Sequence, residues 1–134
     1  MGLSLRDPVL ELLAEQKDYY PYEAYEFVST LIKVLDVEIE GLAKPDQPPN
    51  ITATQLCDRA VSVACGVFGR MARAVFFSWQ IHTTRDIGEI VFHLIGADVV
   101  GAAEGDKIED FDDLFILDRA LDKHVAFFTG KELP

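Results

Sequence analysis

The stretch TATQLCDRAVSVACGVFGRMARAVFFSWQIHTTRDIGEIVFHLIG, residues 52–96, decides the fold of this 134-residue chain. It holds the longest apolar pattern at helical spacing, the single Trp, both Cys and two of the three His. Thr52 or Thr54 is a good N-cap for a helix that runs to about Phe68. Its apolar arc contains Leu56, Cys57, Ala60, Val61, Val63, Ala64, Val67 and Phe68, with Asp58, Arg59 and Ser62 opposite. Cys57 sits mid-arc as a small core residue, and Cys65 at the edge is the more accessible thiol. Gly66 and Gly69 bracket a bend before a helix over about Arg70–Trp79. There Met71, Val75, Phe76 and Trp79 point one way, and Arg70, Arg73 and Phe77 the other. Arg73 and Phe77, at i,i+4, are placed for a cation–π contact.

Gln80–Thr84 reads as a short turn, so the two flanking helices form a helix–turn–helix joint. Thr83 is the next N-cap, and Asp86, three residues on, closes a variant of the capping box. The helix that follows spans about Thr84–Ile95, with Ile87, Ile90, Val91, Leu94 and Ile95 on its apolar face. Gly88 predicts the close approach of a neighbouring helix. Asp86, Glu89 and His93 share the polar face, and Phe92 lies beside Arg85.

Working outward, Asp7 caps and Pro8 opens a first helix over residues 7–17. Pro21 breaks it. Residues 22–37 are the cleanest amphipathic helix, with Ala24, Phe27, Val28, Leu31, Ile32 and Leu35 on one side. Tyr19, Tyr20, Tyr22 and Tyr25 gather at its start, as half-buried rings or as a wall for stacking a ligand. Residues 41–51, rich in Pro, are a surface connection or lid. Beyond Gly96 the pattern weakens. Two short strands around an acidic loop, or an extended tail packed on the helices, both suit it, with Asp118 capping one last helical turn. The expectation is a single, mostly α domain over 1–134, of about five helices.

Composition is globular, with 49% hydrophobic and 10% aromatic residues. No run of about 18 apolar residues marks a membrane span. MGLSLRDP lacks the apolar region of a signal peptide, and Arg6 stands where myristoylation wants Ser or Thr. These features set the expectation of a soluble, cytoplasmic protein away from membranes. Without export signals the two Cys read as reduced thiols, and in one helix they lie about 12 Å apart, too far for a disulfide. Net charge is −11, distributed as −6 over residues 1–50, +1 over 51–96 and −6 over 97–134. That field repels polyphosphates at long range.

No Gly-rich phosphate loop, nucleophile elbow or paired-Cys zinc pattern occurs. Neither a cofactor nor a catalytic residue is implied. Glu89 and His93, at i,i+4, could form half of a metal site completed by Asp86. The acidic run from Glu104 to Asp113 lacks the EF-hand order, while interleaved Phe111, Leu114 and Phe115 suit a docking segment. The element order also fits a winged helix, with Arg85, Glu89, Phe92 and His93 facing a groove. Against it stand the lone arginine on that face and the acidic net charge.

The stretches YPYEAYEFV (20–28), TATQLCDRA (52–60), FGRMA (68–72), WQIHTTRDIGEIVFHL (79–94) and EDFDDLF (109–115) resemble a family of conserved bacterial proteins of planctomycete and verrucomicrobial type. The resemblance implies one domain and carries over no activity, cofactor or catalytic residue. The leading expectation is a non-catalytic interaction or oligomerisation module, using a surface of Arg70, Arg73, Phe77, Arg85, Glu89, Phe92 and His93. A nucleic-acid binder using the 84–95 helix comes second, and a small metal-dependent enzyme or metal-binding protein third.

Overall fold

A computed structural model describes residues 6–17, 19–41, 51–101 and 106–132, with side chains through His124 in the last segment. Among the described residues the chain forms six α-helices: α1 (Pro8–Lys17), α2 (Tyr22–Glu40), α3 (Ala53–Phe68), α4 (Ala72–Ser78), α5 (Thr84–Gly96) and α6 (Leu117–Glu132). Two 3-10 turns, Gly69–Met71 and Ile108–Phe111, complete it, and no strand occurs among the described residues. The protein is a single small helical domain. The Pro-rich connection read over 41–51 falls mostly on residues 42–50, which lie outside the described residues.

Local chemistry sets the two central helix starts. Thr52 accepts from the Gln55 N–H at 3.1 Å, and the Gln55 side chain accepts from the Thr52 N–H at 2.9 Å. At α5, Thr83 Oγ1 accepts from the Asp86 N–H at 3.3 Å, and the Asp86 carboxylate accepts from the Thr83 N–H at 3.0 Å. Each box satisfies helix donors that would otherwise be left without a partner.

α2 and α3 run antiparallel. Phe27 of α2 meets Phe68 at the end of α3 with ring centroids 6.3 Å apart, while Glu38 at the other end of α2 pairs with Arg59 at 2.8 Å. α5 packs on α2, and α6 packs on α3 and α4. The core is one cluster that includes Tyr25, Val28, Leu56, Ala64, Phe76, Ile87, Ile90 and Leu94.

The helical stretch Ala53–Ser78 is 26 residues long and is long and apolar enough to cross a membrane, by length and composition alone. Asp58 and Arg59, then Arg70 and Arg73, interrupt it, so it is not an unbroken apolar run. It is not a straight rod. The rings of Phe68 and Trp79 meet at 5.6 Å, although eleven positions of continuous helix would set them about 16 Å apart. The fold-back occurs at Gly69, whose φ of 57° is open to glycine.

The C-terminal third differs most from expectation. Instead of two strands, residues 108–111 form a 3-10 turn and residues 117–132 form α6. Helix wins because Leu117 and Leu121, one turn apart, both find burial, and the Cys65 thiol donates to the Leu121 carbonyl at 3.5 Å. Asp118 sits inside the first turn rather than capping it.

The turn at 108–111 is clamped onto α5. Buried Thr84 donates its hydroxyl to the Phe111 carbonyl at 2.7 Å and accepts from the Leu114 N–H at 3.3 Å. Gly88 faces the Phe111 side chain, so the close approach expected there is made by a ring rather than by a helix. A Cβ on Gly88 would lie 2.6 Å from Phe111 Cγ and 2.7 Å from its Cβ. Both are atoms near the root of a buried side chain, with little room to yield. Gly88→Ala is expected to destabilise the fold by about 1–3 kcal/mol through overpacking, despite the better helix propensity of Ala. In a Phe111→Ala background the same change becomes neutral or stabilising. Urea unfolding of the four chains of this cycle checks it; a stabilising Gly88→Ala with Phe111 intact would contradict the seat.

Candidate functional site

The side chains expected to share one surface are drawn into separate surroundings. Arg73 turns to α6, reaching Asp122 at 2.8 Å and Asp118 at 3.7 Å. The proposed stacking on Phe77 is replaced by these ion pairs, and the exposed Phe77 ring lies instead against His82 at 5.1 Å. Arg85 pairs with Glu89 at 3.2 Å and with Asp112 at 2.9 Å. Phe92 is half-buried and lines a cleft, and His93 turns to Tyr25. Only Arg70 remains exposed with no ion pair among the described residues. Sequence periodicity set these residues outside the apolar arcs, but it had no access to the acidic C-terminal segment that covers two of the arginines.

On α5 the Arg85 and Glu89 side chains are 39% and 36% exposed and paired with one another, and the other residues from Thr84 to Ile95 are buried or half-buried. A helix that reads a nucleic-acid groove must present a row of side chains to it. The short helices α4 and α5 do flank a turn, but α5 is enclosed by α2 on one side and by the 108–111 turn on the other.

The polar face of α5 enters a cluster that sequence reasoning did not assemble. The Asp86 carboxylate accepts from Tyr20 Oη at 2.8 Å and from the His82 N–H at 2.8 Å, in addition to its capping bond. Tyr25 Oη and His93 Nδ1 are 2.9 Å apart. The Tyr20 and Tyr25 rings meet edge to face with centroids 6.1 Å apart, and Tyr20 and His93 are 6.2 Å apart. Burial pushes the Tyr25 phenol up to about 12. Burial, then the hydrogen bond and charge of Asp86, push Tyr20 up as well. Burial holds His93 below the ordinary histidine value, aided by Lys17 and opposed by Glu89. The cluster thus favours neutral phenols and a neutral imidazole, with Tyr20 bonded to Asp86, Tyr25 bonded to His93, and the two pairs joined by ring contacts. The tyrosines at the start of α2 were the available signal, but their partners lie more than sixty residues away.

The metal reading needed Asp86, Glu89 and His93 to converge. Each is engaged elsewhere, by Tyr20, Arg85 and Tyr25 respectively. Among the described residues no group of three or more His, Cys, Asp or Glu is arranged to hold an ion. Both thiols are buried. Burial, then the charge of Asp58, pushes Cys57 up to about 12; burial, then Asp122, also raises Cys65. Neither forms the thiolate that a nucleophile needs near neutral pH.

Two surface features remain. The first is the outer seam between the antiparallel α2 and α3. On α2, Phe27, Val34 and Glu38 fall on one stripe; on α3, Arg59, Val63 and Val67 do the same. The seam leaves Val34 47% and Val67 67% exposed, and Met71 just beyond it is 61% exposed. Half-buried Phe27, Phe68 and Trp79 form an aromatic cluster at one end, with centroids 5.6–6.3 Å apart. The second is a cleft of about 490 Å³ between α2, the start of α3, α5 and the 108–111 turn.

The His93 environment has a pH consequence. Its pKa lies lower in the folded chain than in the unfolded one, so between the two values the folded state binds fewer protons. Stability is full above the unfolded value of about 6.5 and falls as pH drops through the window below it. His93→Gln removes this component while retaining a group that can bond Tyr25. Urea midpoints at about pH 7.5 and about pH 5.5 check it: the wild-type midpoint falls further than that of the variant. Equal falls would refute the assignment.

No family model, curated protein or solved structure matches the chain.

Proposed function

We propose that this protein is a non-catalytic interaction module that associates through the outer seam of α2 and α3. The observation that carries this reading is the run of large apolar side chains left open there, Val34, Val67 and Met71, beside a half-buried aromatic cluster. Contiguous apolar surface of this kind marks interaction sites on folded proteins. An antiparallel helix pair buries such a seam most simply against the same seam of a second copy, giving a four-helix bundle with two-fold symmetry. The engagement of Asp86, Glu89 and His93 in internal contacts and the burial of both thiols favour a binding role over a catalytic one.

The surface differs from the one expected from sequence. Arg73, Arg85 and Glu89 carry ion pairs at the surface, His93 turns to Tyr25, and Arg70, beside Met71 in the chain, is exposed.

Sedimentation velocity over a concentration series tests the reading. The wild-type chain is expected to dimerise. Val67→Glu combined with Met71→Glu is expected to raise the dimer Kd more than about tenfold, equal to 1.4 kcal/mol. Because both positions face solvent in the isolated chain, the melting temperature of the monomer stays close to wild type. A wild-type chain that remains monomeric at every concentration, or a double variant that dimerises equally well, would overturn self-association through this seam.

A further inference from the structure

We propose that the cleft between α2, the start of α3, α5 and the 108–111 turn binds a small organic cation with an apolar body, of the alkyl- or arylammonium class. This rests on the cleft alone and is independent of association through the α2–α3 seam. Its volume of about 490 Å³ falls within the roughly 300–1,000 Å³ of small-molecule sites. Its apolar wall is formed by Ile32, Leu56, Val91, Phe92, Ile95 and Phe111. These come from four elements, and burying an apolar body against them removes hydrocarbon from water on several sides.

The polar residues of the lining select the head group. Asp36, Asp106 and Asp110 contribute three carboxylates, and Lys107 is the one basic residue in the described lining. Asp36 has no ion pair among the described residues, and its α2 position is exposed. Asp110 keeps one oxygen on the Lys107 N–H at 3.3 Å, which fixes its carboxylate beside the cleft. The start of α3 also lines the cleft, and a bare helix N-terminus would favour an anion. Its leading donors are partly consumed by the Thr52–Gln55 capping box. With Asp36 and Asp110 against the one ammonium of Lys107, and Asp106 counted as already engaged, the local charge favours a cation and disfavours a carboxylate. Phe92 adds an aromatic face on which an ammonium can rest.

Isothermal titration of the full chain with decylammonium, decanoate and decanol, each below its aggregation concentration, tests the proposal. Decylammonium is expected to bind at one per chain, at least about tenfold more tightly than decanoate. Asp36→Asn is expected to weaken decylammonium several-fold and leave decanol unchanged. Ile95→Trp, which fills the cleft, is expected to abolish binding of all three, with circular dichroism confirming that it folds. Absence of decylammonium binding, equal binding of decanoate, or undiminished binding to folded Ile95→Trp would each overturn it. The last outcome would move the ligand to another apolar surface, and Val67→Glu with Met71→Glu would then report whether that surface is the seam.

Discussion

The enclosure of α5 is the constraint on which the rest of the structure depends. The helix lies between α2 and the 108–111 turn, with its residues from Thr84 to Ile95 buried or half-buried. Polar groups buried there need partners within the protein, because leaving them unpaired costs about 1–3 kcal/mol each. Thr84 is answered by the Phe111 carbonyl and the Leu114 N–H, Arg85 by Asp112 and Glu89, Asp86 by Tyr20, and His93 by Tyr25. Those answers come from the α1–α2 junction and from the acidic C-terminal third. The polar side of α5 therefore ties together both distant parts of the chain, while its apolar side makes the core.

This explains what could and could not be read from the sequence. Local signals were legible. The capping boxes at Thr52 and Thr83 are formed by residues three apart, and most of the apolar faces expected for α2, α3 and α5 are buried, although Val67 on the expected α3 arc is left 67% exposed. Non-local pairing was not. Arg85, Glu89 and His93 look like a solvated face because nothing within one helix distinguishes water from a carboxylate or phenol brought from elsewhere. Gly88 signalled a close approach, but its partner was a single ring twenty-three positions onward. The acidic segment containing EDFDDLF suggested docking, and Phe111 does dock, against the protein's own α5. The short apolar runs at 99–100 and 114–117 suited strands, yet the second leads straight into α6 at Leu117 and neither forms a strand.

The bend at Gly69 shows how composition and geometry can diverge. Ala53–Ser78 has the length and apolar character of a spanning helix, yet it bends at Gly69 so that Phe68, at the end of α3, meets Trp79, just past α4. The fold-back joins Phe68, Phe76 and Trp79 with Phe27 in one aromatic cluster. The same bend aims Arg73 at α6. A residue other than glycine at position 69 would have to adopt a left-handed conformation, so the chain's direction change depends on a missing side chain.

Charge distribution then determines what the remaining surface can meet. The central segment carries +1 and each flank −6, but three of the four central arginines are already paired. Arg59 takes Glu38 from the first flank, while Arg73 takes Asp122 and Arg85 takes Asp112 from the last. Folding thus pairs the basic residues of the centre with acids of the flanks at the surface, and the unpaired charge that remains is predominantly acidic. Two copies meeting at the α2–α3 seam would repel at long range and attract only through apolar contact. Screening by salt therefore strengthens such a dimer, the reverse of a salt-bridged interface, since the Debye length shrinks to about 8 Å at physiological ionic strength. The cleft inherits the opposite preference. Its carboxylates belong to the same acidic field, so added salt weakens a bound cation there. Ionic strength separates the two surfaces because the field that opposes one ligand recruits the other.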